Sequence, residues 1–154
     1  MIRDIFSHKM DADHRVIAGL FVADRLDHLL NKEDGILKLL EEGYTVISDR
    51  YYFSSYAYQG VHMPLDWVIA ANSMSAKLLR PDLNIFIDIS PEVSMKRIAE
   101  SRGVIEMYET LENQKAVREK FFEAFEILRA EEKIVIVDGA RSVEEIAADI
   151  LKNL

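Results

Sequence analysis

Short apolar runs separated by stretches with helical periodicity make up most of this chain. Three runs are apolar rather than alternating and predict strands over Tyr44–Ser48, Asn84–Ile89 and Lys133–Val137. Strands that are apolar on both sides are typical of a parallel sheet covered by helices on both faces. We therefore predict an α/β fold built as a three-layer parallel sheet with helices on both faces.

Periodicity and end signals place helices between these strands. Gly43 is a stop signal after the second helix, and Pro81 closes the third. Ser142 with Glu145 forms a capping-box pattern at the start of the last helix. The five predicted helices before this last one cover about Asp11–Leu30, Asp34–Glu42, Asp66–Arg80, Pro91–Glu100 and Glu109–Glu131.

Composition narrows the class of protein. A length of 154 residues fits a single domain over residues 1–154, and a 49% hydrophobic chain is ordinary for a globular protein. The net charge of −8 argues against general binding to nucleic acid or to an anionic membrane, since both need a basic face. No cysteine is present, which excludes disulfides and thiolate metal sites. No apolar run approaches the ~20 residues of a membrane span, and we expect a soluble, cytoplasmic protein.

The stretch SDRYYFSSYAYQG, Ser48–Gly60, follows the first predicted strand and holds an acid–arginine pair and four tyrosines. In open parallel sheets the ligand lies beyond the carboxyl ends of the strands. There Arg50 can bind a phosphate or carboxylate through two hydrogen bonds, and Asp49 can orient it or hold the water shell of a metal. Tyr51 and Tyr58 add flat apolar area with a hydroxyl at the rim. A buried Asp–Arg pair, with tyrosines packing a helix start, explains this motif alone equally well.

Two further clusters carry candidate chemistry. Phe21 and Arg25 lie four residues apart on one predicted helix, so that a ring and a donor can converge on a nucleobase. A core phenylalanine and a solvated arginine are the alternative. The segment SRGVIEMYE supplies charged and aromatic side chains after a glycine turn, and exposed charge at a helix start explains it as well. Its candidate residues are Arg102, Glu106, Tyr108 and Glu109.

Five segments occur in the order and spacing of the thymidylate kinase family, which the chain resembles from Ile2 to its C-terminus. They are LFVADR, ISDRYYFSSYAYQG, PDLNIFIDISPEVSMKRI, RGVIEMYE and VDGARSVEEI. The resemblance implies a P-loop NTPase fold of the nucleoside monophosphate kinase type and magnesium-dependent transfer of phosphate from ATP to dTMP, giving dTDP. It also implies a homodimer formed through helices that include LFVADRLDHLL. Leu26, Leu29 and Leu30 of this segment are compatible with such an interface, and core packing explains them as well.

The resemblance implies roles on the thymidylate side. Phe21 would stack on thymine, and Arg25 would donate to the carbonyl edge of the base. Arg50 would bind the thymidylate phosphate and, with Asp49, belong to the catalytic set. Ser54 and Ser55 would read the far edge of the base, while Tyr58 and Gln59 would form a wall against a ribose 2′-hydroxyl. The other implied thymidylate contacts are Tyr51, Glu106 and Tyr108.

On the ATP side, the resemblance implies that Arg102 belongs to a lid over the phosphates and is catalytic. Ala140 and Arg141 would flank adenine, and Asp49 and Glu109 would lie beside Mg²⁺. Because the acceptor phosphate is already an anion, no strong base is required, and catalysis is mostly positioning and charge neutralisation.

One family feature is absent from these 154 residues. The phosphate loop G-x-x-x-x-G-K-[ST] is not found, since none of the six glycines is followed by lysine. The family pattern implies a missing N-terminal βαβ unit of roughly 30 residues, and hence a gap in the sheet. Three alternatives remain: a truncated kinase, a non-catalytic dTMP-binding or dimerising relative, and one half of a split kinase completed by a P-loop partner chain.

Overall fold

The computed structural model describes residues 1–6, 9–101 and 110–154. The chain forms two compact units, Met1–Arg80 and Pro81–Leu154. Among the described residues, no helix has the length and apolar character needed to cross a membrane.

The first unit is helical. Its helices are α1 (Ile2–Phe6), α2 (His14–Leu30), α3 (Ile36–Glu41), α4 (Tyr52–Gly60) and α5 (Leu65–Leu78). Asp13 caps α2 by accepting from the backbone N–H of Arg15, which explains why the helix begins later than Asp11. Gly43 has a φ of +88° just after α3, so the predicted stop is confirmed. Helices α2, α4 and α5 pack against one another.

The sequence patterns did not predict α4, although it supplies much of the core. Its buried residues are Tyr52, Phe53, Ser55, Tyr56, Ala57, Gln59 and Gly60. The tyrosine-rich motif is therefore a helix that packs its aromatic rings inward. Its buried face includes the polar Ser55 and Gln59 as well as the rings.

The second unit contains the sheet. Its elements are β1 (Asn84–Asp88), α6 (Pro91–Ser101), α7 (Leu111–Leu128), β2 (Ile134–Asp138) and α8 (Val143–Leu151). The two strands pair in parallel, with Asn84 opposite Ile134 and Asp88 opposite Asp138. Two of the three predicted strands and the parallel arrangement are thus confirmed. The capping box of Ser142 and Glu145 at the start of α8 is confirmed as well.

Side chains on one face of this sheet contact α7. The ring of Phe86 packs against Phe121, Phe122 and Phe125, with ring centroids 4.8–5.8 Å apart. Ile87 and Ile136, which lie on opposite faces of the sheet, are both exposed. The α/β character is confirmed, whereas the three-layer sheet stays a prediction.

The predicted strand over Tyr44–Ser48 is wrong. Within the described residues the sheet has two strands, and neither pairs with this segment. Tyr44 is 61% exposed and Ile47 is 90% exposed. An apolar run becomes a strand only when a neighbouring strand accepts its backbone hydrogen bonds, and no strand of the described chain does so here.

Candidate functional site

Arg50 lies where the chain turns into α4. Its φ of +71° is left-handed, which is uncommon for a residue with a Cβ and costs roughly 1–2 kcal/mol. The Ser48 hydroxyl donates to the Arg50 carbonyl across 2.9 Å and supports this turn. Asp49 and Arg50 are both exposed, so the buried Asp–Arg pair considered above is not formed. The Arg50 guanidinium lies 5.2 Å from the centre of the Tyr58 ring.

Arg25, on α2, reaches the start of α4 and the middle of α5. It donates to the Ser55 hydroxyl oxygen at 2.9 Å, to the Tyr51 carbonyl at 3.4 Å and to the Asn72 side-chain oxygen. Its guanidinium also lies 5.7 Å from the centre of the Tyr51 ring. The solvated arginine considered as an alternative is therefore wrong.

The electrostatic setting of Arg25 is unusual for a partly buried cation. Burial lowers the pKa of its guanidinium, because removing water disfavours the charged form. All three hydrogen-bond acceptors are neutral oxygens. These bonds orient the guanidinium without cancelling its positive charge, which leaves it able to attract an electron-rich ligand atom.

The remaining predicted thymidylate-side residues in this unit lie on α2 and α4. Phe21 is half-buried and lies one turn before Arg25, on the same face of α2. Ser54 and Tyr58 are half-buried on α4, and Gln59 is buried. The side-chain oxygen of Gln59 accepts no hydrogen bond from the described residues. The structure thus joins Arg25 to Ser55 and Arg50 to Tyr58, both along α4.

Tyr51 has a structural bond in addition to its predicted role. Its hydroxyl lies 3.3 Å from the Ser75 carbonyl and 3.1 Å from the Leu79 carbonyl, at the end of α5. The last carbonyls of a helix lack intrahelical partners, so this donor stabilises that end. The Tyr51 hydroxyl, which was expected at the rim of a pocket, therefore donates to the end of α5 instead.

In the second unit, hydrogen bonds connect the end of β1 to the residue after β2 and to α7. Gly139 donates to the Asp88 carbonyl at 2.7 Å. A Cβ at Gly139 would lie 2.8 Å from Ile87 Cγ2 and 2.9 Å from the Asp88 carbonyl oxygen, so no larger residue fits there without movement. Arg118 makes two hydrogen bonds of 2.7 Å to the Asp88 carboxylate.

The predicted adenine-side residues follow β2. The backbone N–H of Ala140 donates to the Asp138 carboxylate at 2.9 Å. Arg141 pairs with Asp149 on α8, and this hydrogen bond raises the pKa of the guanidinium. Arg141 is thus held by an acidic partner, in contrast to Arg25.

The predicted lid residue and the predicted residues of the segment after it belong to residues 102–109, which the structure does not describe. Arg102, Glu106, Tyr108 and Glu109 lie outside the described residues. Where the structure describes the chain, no group of three or more histidine or carboxylate side chains converges as a metal site. Mg²⁺ in phosphate-transfer sites usually keeps several waters and binds one or two carboxylates plus substrate phosphates. The exposed carboxylate of Asp49 fits that mode of binding.

Two residues at these sites were not predicted. Asn72 is a single asparagine in an otherwise ordinary helix, and no motif or period marks it. Arg118 lies in the middle of α7, 30 residues from the carboxylate it binds. Neither contact has a local sequence signal, because both depend on how separate elements pack.

Comparison with known proteins gives a consistent result. A sequence model of a protein family described as Thymidylate kinase matches residues 1–150. The chain is 40% identical to a probable thymidylate kinase of Pyrobaculum aerophilum over 139 residues, covering 90% of this chain and 67% of that protein. It is 33% identical to a probable thymidylate kinase of Archaeoglobus fulgidus over 142 residues, covering 86% and 63%. It is also similar to a thymidylate kinase of Sulfurihydrogenibium sp., at 34% identity over 99% of this chain and 74% of that protein. The chain thus spans about two thirds of the length of the curated relatives it matches.

Proposed function

Because the chain belongs to the thymidylate kinase family, we propose that it is a dTMP kinase, whose transfer of the terminal phosphate of ATP to dTMP, giving dTDP, also requires a phosphate loop that these 154 residues do not contain. The family is one of phosphotransferases, which use ATP as donor and commonly Mg²⁺. Residues 1–154 would form one thymidylate kinase-like domain with the three-layer parallel sheet.

The setting of Arg25 is the observation that carries the proposal. This partly buried guanidinium is held by neutral oxygens, and its positive charge is not cancelled by them. Arginine has five N–H donors, and the three hydrogen bonds of Arg25 to described residues leave two of them for a ligand. The carbonyl edge of a thymine ring is an acceptor of the right kind. Phe21, one turn earlier on the same face, supplies the ring for stacking.

Arg50 is proposed to bind the phosphate of dTMP. Its exposed guanidinium stands at the start of α4, where the helix dipole also favours negative charge. Ser54, Ser55, Tyr58 and Gln59 complete the proposed dTMP side on the same helix. Tyr51 contributes its ring, since its hydroxyl is engaged with α5.

The phosphate-transfer side includes residues from both the described and the undescribed parts of the chain. Asp49 is proposed to hold the water shell of Mg²⁺ together with Glu109, while Arg102 closes over the ATP phosphates. Glu106 and Tyr108 are proposed to approach the dTMP sugar, and Ala140 and Arg141 to flank adenine. When bound, Mg²⁺ would neutralise charge on the transferring phosphate.

Assembly and location are part of the proposal. We propose a homodimer through α2, whose Val16 and Leu30 are exposed apolar residues. Leu29, one of the three leucines expected at such an interface, is instead buried in the core. We also propose that the reaction takes place in the cytoplasm, where nucleotides such as dTMP and ATP are found.

A second candidate is dTMP binding without phosphate transfer by these 154 residues. It is favoured by one observation, that no glycine among them is followed by lysine, so no P-loop lysine can reach the phosphates. In this case the phosphate loop would come from a P-loop-bearing partner chain, or transfer would not occur.

The proposal is tested by calorimetric titration with dTMP. We expect Arg25→Ala to lower the affinity at least tenfold, since a hydrogen bond from a charged group contributes about 1.5–3 kcal/mol. The matched control is Arg129→Ala, which removes the same charge from an exposed site paired with Glu126 and should leave the affinity unchanged. Equal affinity in Arg25→Ala and the parent, with both folded by circular dichroism, would remove the proposed base contact.

A further inference from the structure

Helices α4 and α5 of the first unit bury four polar side chains, which we call the polar layer. Four of the buried polar residues of the described chain belong to it: Ser55, Gln59, Asn72 and Ser75. They lie among buried apolar and aromatic residues such as Tyr52, Tyr56 and Val68. Burying polar groups costs free energy unless they are hydrogen-bonded, so such a layer calls for a role beyond packing.

Within this polar layer, both the oxygen and the nitrogen of the Asn72 side chain are hydrogen-bonded. It is 1% exposed. Its side-chain N–H donates to the Val68 carbonyl at 2.8 Å, and its side-chain oxygen accepts from Arg25. A flipped amide would set donor against donor at Arg25 and acceptor against acceptor at Val68. Only one orientation satisfies both partners, and that orientation aims the amide oxygen at Arg25.

The chemistry of this partner matters as much as its position. A carboxylate at position 72 would also accept from Arg25, but it would lose the donor to the Val68 carbonyl and form an ion pair that offsets the positive charge. An amide oxygen holds the guanidinium without adding a negative charge, so the pair keeps a net positive charge. Ser55 and the Tyr51 carbonyl, the other two acceptors, are neutral in the same way.

We propose that Asn72 is a positioning residue for base selection, which holds Arg25 in place without offsetting its positive charge, so that the site prefers a pyrimidine with a 4-oxo group over one with a 4-amino group. A 4-oxo group accepts from the remaining N–H donors of Arg25, whereas a 4-amino group presents its own donors to a fixed cation. This inference rests on the proposed function, because it assumes that Arg25 faces the base.

The test measures the ratio of affinities for dTMP and dCMP by calorimetry on the full chain. Two variants change Asn72 in different ways. Asn72→Asp keeps the shape and gives Arg25 an ion-pair partner, while Asn72→Leu removes the acceptor. We expect both to lower the dTMP to dCMP affinity ratio at least fivefold. Asn153→Asp makes the same substitution at an exposed site in the other unit, and should leave the ratio at the parent value.

A merely structural role for Asn72 would lower thermal stability and weaken both ligands equally, leaving the ratio intact. That result would overturn the inference. If Asn72→Leu fails to fold, Asn72→Asp decides the question, because its carboxylate still accepts from Arg25 and fills the same space.

A double-mutant cycle shows whether Asn72 acts through Arg25. In an Arg25→Ala background, adding Asn72→Leu should not change the ratio further. A further change of the same size as in the parent would overturn the inference.

Failure of the proposed function gives a different outcome. If the parent chain does not prefer dTMP over dCMP, or binds neither, the proposed function is wrong and this inference falls with it. If the parent prefers dTMP and Arg25→Ala abolishes that preference, but both Asn72 variants keep it, only the inference is wrong.

Discussion

The strained backbone at Arg50 links one residue to the proposed reaction. A left-handed φ at a non-glycine residue persists only when the surroundings hold it, and such strain is concentrated at functional sites. The Ser48 hydroxyl bond and the contact with the Tyr58 ring are two of these constraints. Their combined effect is to place a guanidinium at the N-terminus of α4, where a phosphate is also favoured.

Paired substitutions at Arg50 separate strain from binding. Arg50→Gly and Arg50→Ala both remove the guanidinium, and we expect each to weaken dTMP binding at least tenfold by calorimetry. Glycine accepts the left-handed φ whereas alanine keeps a strained Cβ, so Arg50→Ala should have the lower free energy of unfolding, by about 1 kcal/mol in urea titrations. Equal stability of the two variants would show that the turn relaxes, and unchanged dTMP affinity would remove Arg50 from the site.

Helix α2 serves two roles with different faces. Its buried residues Ile17, Ala18 and Leu29 fix it against the rest of the unit. Arg25 extends from it to α4 and α5. Val16 and Leu30 are left exposed near its two ends, which is compatible with an interface between two copies of the chain.

The proposed dimer is tested by placing a charge on this helix. We expect the parent chain to have twice the 17.7 kDa mass of one chain by light scattering. Leu30→Lys should shift it toward the monomer, because a lysine would be desolvated in an apolar interface. Ile127→Lys, at a similarly exposed position on α7, is the control and should stay dimeric. A parent chain of monomer mass would contradict the proposal.

The net charge of the 154 residues is negative, like that of the proposed ligands dTMP and ATP. With a net charge of −8, the average field repels dTMP and ATP. Binding must therefore come from local groups, and Arg25 and Arg50 supply positive charge next to the rings of Tyr51 and Tyr58. Salt screens the average field over about 10 Å and weakens a partly buried contact much less.

An activity assay tests whether the 154 residues alone can transfer phosphate from ATP to dTMP. We expect no measurable formation of dTDP from ATP and dTMP in a coupled assay, because no P-loop lysine is available to the transferred phosphate. dTMP binding should still be detected in the same preparation. Turnover near ordinary kinase rates of ~1–100 per second would show that other residues replace the loop.

Local patterns predicted the features that depend on neighbouring residues. The helix stop at Gly43, the capping box at Ser142 and the two strands of the sheet were all visible in the sequence, because their signals span only a few residues. Five segments in family order likewise indicated the thymidylate kinase family, and the match to that family over residues 1–150 confirms it.

Features that depend on distant partners were settled by the tertiary structure. Tyr44–Ser48 has the composition of a strand but no neighbouring strand among the described residues to complete it. Leu29 is buried and Leu30 exposed, although the two are adjacent and chemically identical. Arg25 and Asn72 are 47 residues apart in sequence, yet they share a hydrogen bond. Such contacts follow from the packing of separate elements. The free energy of this packing depends on residues far apart in the sequence, so a single segment does not predict it.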